Sequence, residues 1–200
     1  PERLEALRAQ MGLNDPFFVR YGKWVMGFLQ GDMGNSYSYN MSVSDLILDK
    51  LPITITLSLM AFVLMSVIST LLGIYAAMHE GSVIDKGITV LNQIVMAIPA
   101  FFAGIIISFV FGLVLKWFIP GAFVSYQNDF GGFIGYLVAP AVAIALPKCA
   151  MSAKLLRSAL LEEADKDYVR TAYSRGNTTK GVLYHHALKN AIIPVVTFWG

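Results

Sequence analysis

ITITLSLMAFVLMSVISTLLGIYAAM, from Ile53 to Met78, contains no charged residue. A helix needs about 20 mainly apolar residues to cross the hydrocarbon core of a bilayer, and this run exceeds that. A second uncharged run extends from Gly87 to Leu115. A third, Phe130 to Pro147, reaches spanning length only with its flank through Leu156, which brings in Lys148 and Lys154. Spans are therefore predicted over about 53–78, 88–115 and 133–156, and a fresh apolar run, Ala191–Trp199, predicts the start of another from about 190. Composition agrees: the 200 residues are 56% hydrophobic and 14% charged, where a soluble domain carries about 25% charged residues. Mean hydropathy is +0.61. The fold class is an all-α, polytopic transmembrane helix bundle.

Charge placement orients the spans. Lys154, Arg157, Lys166, Arg170, Arg175, Lys180 and Lys189 crowd the stretch after the third span, whereas the loop 116–132 holds only Lys116. Short loops rich in Lys and Arg stay cytoplasmic. The stretch 157–189 is thus expected inside, and both 116–132 and 1–50 outside. The five basic residues Arg3, Arg8, Arg20, Lys23 and Lys50 mildly oppose the last placement. The chain begins at Pro1 and ends inside an apolar run, so it reads as a piece of a longer subunit.

Residues 1–50 form an extracytoplasmic segment with amphipathic helices. A helix is predicted up to Met11, broken by Gly12 and Asn14-Asp15-Pro16. Phe17, Tyr21, Trp24 and Phe28 then recur at helical spacing. Their aromatic face suits either the headgroup layer or the protein's own outer surface. Residues 31–36 are a turn-rich connector, and Ser42 with Asp45 marks the next helix start. Residues 51–200 form the transmembrane domain. Gly73, Ala76 and Ala77 close the first span, Pro99 and Gly104 interrupt the second, and Pro140 and Pro147 mark the third. Small residues let helix backbones approach inside a membrane.

Single residues were weighed for chemistry. Cys149 is the sole cysteine, so it forms no disulfide within the chain and reads as a small apolar residue in a helix interface. His79, His185 and His186 with Glu162 and Glu163 could suggest an intramembrane metalloenzyme. However, His185 and His186 are adjacent, about 100° apart on a helix, and no His-Glu-x-x-His arrangement occurs. No filter-like loop supports an ion channel. No catalytic, cofactor or metal residues are assigned. Lys148 is a charge inside a span, by default a functional position. It lines a pathway or interface, or else snorkels to the cytoplasmic face.

The richest stretch is Glu162–Pro194. Glu162, Glu163, Asp165 and Asp167 lie early in the stretch, with Lys166 among them, and Arg170 and Arg175 late, an order that suits one helix dipole. Gly176-Asn177 supplies the stop, and Thr178 or Thr179 caps a following helix through His185-His186. Two helices meeting at a cytoplasmic glycine corner read as a docking element for a partner.

These residues carry a family resemblance. Arg170-Thr171-Ala172, three residues, Gly176, nine residues, then His186-Ala187-Leu188-Lys189 resembles the cytoplasmic signature of ABC importer permeases in the dipeptide/oligopeptide branch. Asp167-Tyr168 before it and Ile192-Ile193-Pro194 after it belong to the same pattern. Gly12–Pro16, Tyr21, Trp24, Gly31–Ser36, Leu51-Pro52, Ile98-Pro99 and Arg157-Ser158 extend the likeness along essentially the whole chain. Tyr173-Ser174 and Pro147-Lys148 depart from the commoner residues without disturbing the spacing.

The resemblance implies a type I importer-like fold, with this chain covering the second to fourth of six spans and the start of the fifth. It implies a bacterial or archaeal plasma (inner) membrane location. Implied partners are a second homologous permease, two cytoplasmic ATPase subunits that bind the ATP, an extracytoplasmic substrate-binding protein and the lipid bilayer, but no nucleic acid. Asp167, Tyr168, Arg170, Thr171, Ala172, Gly176, His186 and Leu188 would couple to the ATPase. The expected cargo is a di- or oligopeptide; nickel or glutathione importers share the signature and are the alternative. The sequence carries no Gly-rich Lys-Ser/Thr phosphate loop, so no hydrolysis is expected on this chain.

Overall fold

The computed structural model describes Glu5, Arg8, residues 13–36 and residues 38–200. Glu5 and Arg8 are helical; the rest of the helix predicted up to Met11 lies outside the described residues. The chain divides into two compact units, Pro1–Thr56 and Leu57–Gly200.

In the first unit, Pro16 opens helix α1 (Phe17–Leu29), none of whose residues is buried. Proline suits a helix start because its φ is already near the helical value and its missing N–H loses no bond there. Phe17, Phe18, Tyr21 and Trp24 are exposed, and Trp24 stacks on Phe28 with ring centroids 5.7 Å apart. The turn-rich connector ends in a small antiparallel ladder of β1 (Asn35–Ser36) and β2 (Met41–Ser42), with Asn35 opposite Ser42. Helix α2 (Val43–Met78) follows directly, with Asp45 in its first turn and Pro52 within it.

The second unit is built around one long helix. α2 and α5 (Phe130–Ala164) are each long and apolar enough to cross a membrane. The run 88–115, expected as a single span, is instead divided. α3 (Val83–Met96) and α4 (Ala100–Ile107), the latter continued by a π-helical stretch Ser108–Val114, are bent by 99° at the break. The cause is local. Pro99 adopts φ −61°, ψ 142°, outside the helix, and proline disfavours helical geometry in the residue before it. The pair counts as one span only if the bent halves are taken together.

α5 continues as one helix through both Pro140 and Pro147. Asp129 caps it by accepting the Gly132 N–H at 2.9 Å. Its buried residues form two packed groups. Ala141, Ala145 and Cys149 meet Ala61 and Met65 of α2, so Cys149 sits in a helix interface as expected. Farther along, Leu156 and Leu160 pack with Ile74, Ala77, Val169, Ala172, Val182, Ala187, Ala191 and Val195. Gly73 permits the crossing: a Cβ there would lie 2.9 Å from Leu156 Cβ and 3.0 Å from the Ala153 carbonyl oxygen.

The chain then turns through α6 (Asp167–Ser174), α7 (Thr179–Val182), a π-helical stretch Leu183–Ala187 and α8 (Leu188–Trp199). Trp199 fastens the last helix by donating its indole N–H to Ser152 Oγ at 2.9 Å.

Candidate functional site

The glycine corner forms as its residues require. Gly176 has φ +83°, a conformation glycine adopts without the Cβ clash other residues meet. Its N–H donates to Tyr173 O at 2.9 Å, and the Asn177 N–H reaches Ala172 O at 3.4 Å. Those two bonds are the Schellman pattern that closes a helix C-terminus. Asn177 adds a side-chain bond, Nδ2 to Ala172 O at 2.9 Å. Thr178 then caps α7 by accepting the Gly181 N–H at 3.2 Å, supplying an acceptor to an otherwise orphaned donor.

The helix expected to run from Glu162 to Arg175 is two helices. α5 ends at Ala164, and Lys166, with ψ 150°, opens α6. Glu162 and Glu163 therefore lie in the last turn of α5, where negative charge opposes the dipole. Partners relieve this for Glu163, which is buried and whose carboxylate accepts from Lys166 Nζ and the Tyr168 hydroxyl. Tyr168 in turn accepts from Asn190 Nδ2 at 3.0 Å. Burial, then the bond to Glu163, raises the Tyr168 pKa; bonding to Glu163 raises that of Lys166. The bonds from Lys166 and Tyr168 hold the Glu163 carboxyl below its usual range, so the cluster's contribution is complete at neutral pH and is lost both as pH falls through the acid range, where Glu163 protonates, and as it rises through the alkaline range, where Lys166 and Tyr168 deprotonate.

α6 presents two faces. Val169 and Ala172 are buried against Leu156 and Leu160. Asp167, Arg170 and Thr171 are exposed. Of the residues expected to couple to an ATPase, Ala172 faces the chain's own core and Leu188 is half-buried against the same cluster. Both side chains pack inward and lie off the exposed side. Gly176 and His186 are exposed, and Tyr168 is 38% exposed with its hydroxyl turned to Glu163 and Asn190.

Beside this corner, Arg157 grips Asp85. Its Nε and a terminal nitrogen donate to the two carboxylate oxygens at 2.5 and 2.7 Å. Asp85 is 3% exposed and also accepts the Gly81 N–H at 3.0 Å, so α3 is pinned to α5. Glu163, Asn190 and the Asp85–Arg157 pairing were not identified as site features from sequence.

Lys148 is exposed on α5, its ammonium 5.4 Å from the centre of the Phe198 ring, a distance at which a cation is attracted to an aromatic face.

Similarity to known proteins adds a second line. A putative peptide transport system permease of Brucella abortus is 34% identical over the whole chain. The oligopeptide transport system permease AppB of Bacillus subtilis is 38% identical over 94% of it. A probable peptide ABC transporter permease of Sinorhizobium fredii is 30% identical over 97%. The chain spans 64%, 61% and 62% of those relatives' lengths. Residues 69–200 match the family described as binding-protein-dependent transport system inner membrane component. Apolar membrane-length helices, the signature around Gly176, and this match together place the chain in that family of multi-pass inner-membrane transport components.

Proposed function

We propose that this chain forms part of the translocation pathway of an ATP-driven importer of di- or oligopeptides, and that α6 is its docking element for a cytoplasmic ATPase subunit. The carrying observation is the two-faced geometry of α6. Val169 and Ala172 seat the helix on the core, leaving Asp167, Arg170 and Thr171 on the exposed side. The peptide cargo is supported by the names of the Brucella, Bacillus and Sinorhizobium relatives. ATP is bound and hydrolysed by partner subunits. The complete assembly has a second permease, two ATPases and an extracytoplasmic binding protein. Lys148 belongs to the pathway, its charge available to a passing solute. Alternating access follows when closure of the ATPase pair displaces α6.

The test uses two substitutions at Gly176 in the complete complex. A Cβ there meets nothing within 4 Å in this chain, so the β-carbon itself adds backbone strain and no internal clash. Valine at positive φ costs about 1–2 kcal/mol, while asparagine tolerates that region. Gly176→Val is expected to insert normally but abolish uptake and the stimulation of ATP hydrolysis by loaded binding protein. Gly176→Asn should retain both. Full uptake with normal stimulated hydrolysis in Gly176→Val would refute the coupling role.

A further inference from the structure

Three helices converge on the Tyr168 hydroxyl. The residue stands on α6, donates to Glu163 in the last turn of α5, and accepts from Asn190 of α8 at 3.0 Å. Lys166 fills the other Glu163 oxygen.

The surroundings show why such a joint matters. Only Asp165 and Lys166 separate α5 from α6, and Lys166 provides no side-chain cap. A two-residue break between helices is a natural hinge. The apolar contacts of Val169 and Ala172 hold α6 down, but hydrophobic contact is non-directional and resists sliding poorly. Hydrogen bonds fix direction. Bonds to a carboxylate are stronger than neutral ones. Without them, displacement of α6 would be absorbed at Asp165-Lys166.

We infer that Tyr168 is a positioning residue and not an ATPase contact: through Glu163 and Asn190 it stiffens the hinge, so that movement of α6 passes to α5 and α8 together. This rests on the reading that α6 docks an ATPase. It adds the route by which force leaves the docking helix, and it reassigns a residue whose place in the signature suggests partner contact.

The experiment uses the complete permease–ATPase complex reconstituted with its binding protein, measuring peptide taken up per ATP hydrolysed. Tyr168→Phe keeps the ring and removes both bonds. Uptake per ATP is expected to fall several-fold while the ATPase subunits stay bound. Asn190→Ala, at an exposed position, removes the bond to the Tyr168 hydroxyl and leaves Glu163 its bonds from Lys166 and Tyr168. It should lower the same ratio and, combined with Tyr168→Phe, add little further, since both act through one network centred on Glu163. A purely structural role would reduce the yield of complex and leave the ratio unchanged; that result overturns the proposal. Release of the ATPase by Tyr168→Phe, the mark of a direct contact, overturns it equally. If Gly176→Val uncouples and Tyr168→Phe does not, the joint fails and docking stands. If neither uncouples, the docking reading itself fails.

Discussion

Removing Arg157 should destabilise this bundle more than removing Arg157 and the charge of Asp85 together. The Asp85 carboxylate is 3% exposed and accepts three hydrogen bonds, two from Arg157 and one from Gly81. Arg157→Met leaves that charge buried with the Gly81 N–H alone. Breaking a buried ion pair on one side costs about 3–5 kcal/mol. The Arg157 side chain is a quarter exposed, so solvent reaches the gap and the lower end, about 3 kcal/mol, is expected. Asp85→Asn with Arg157→Met removes the stranded charge and keeps an amide oxygen for Gly81. The remaining loss is that of ordinary hydrogen bonds, about 1–2 kcal/mol. Unfolding of the purified subunit in mixed micelles, titrated with denaturing detergent, measures both variants against the parent. The reasoning is refuted if the double variant is at least as unstable as Arg157→Met.

Two further outcomes follow from the packing of α5. Gly73→Val should separate α2 from α5, because even the first added carbon meets Leu156 Cβ at 2.9 Å and the Ala153 carbonyl at 3.0 Å. A loss of about 1–3 kcal/mol in the same unfolding assay is expected, and unchanged stability would show that the helices do not cross there. Lys148→Met should alter uptake of acidic peptides more than neutral ones, since a desolvated charge discriminates by sign; equal effects on both would remove Lys148 from the pathway.

Much of this was legible in the sequence, for identifiable reasons. The runs around α2 and α5 announce themselves because lipid forbids charge over a fixed length. Gly176 and Thr178 act through bonds to residues only a few positions away, so their spacing is visible in one dimension. Proline was a poorer guide. Pro99 breaks its run by 99°, whereas Pro140 and Pro147 lie inside an unbroken α5. Tertiary packing makes the difference: Leu137, Ala141, Ala143, Ala145 and Cys149 are buried around the α5 prolines, while Pro99 is exposed. The break at Asp165-Lys166 carries neither glycine nor proline and left no local mark. The Asp85–Arg157 pair is separated by 72 positions and Tyr168–Asn190 by 22, distances at which no spacing rule operates.

Four of the contacts between elements share one helix, and that fact organises this end of the bundle. On α5, Ser152 holds Trp199 of α8, Leu156 meets Gly73 of α2, Arg157 holds Asp85 of α3, and Glu163 holds Tyr168 of α6. The last two anchors are six residues apart, about 9 Å along a helix at 1.5 Å per residue. The two contacts are therefore joined by less than two turns of unbroken helix, with no proline or glycine between them. The buried Asp85 carboxylate ties α3 to α5, since among the described residues its ion pair is with Arg157. Past α3 the backbone is already broken at Ile98-Pro99. α4 lies beyond that break yet packs directly along α5, where a Cβ on Gly104 would lie 3.7 Å from Ala143 Cβ, so α5 holds both halves of the bent run, α3 through a buried ion pair and α4 through apolar packing.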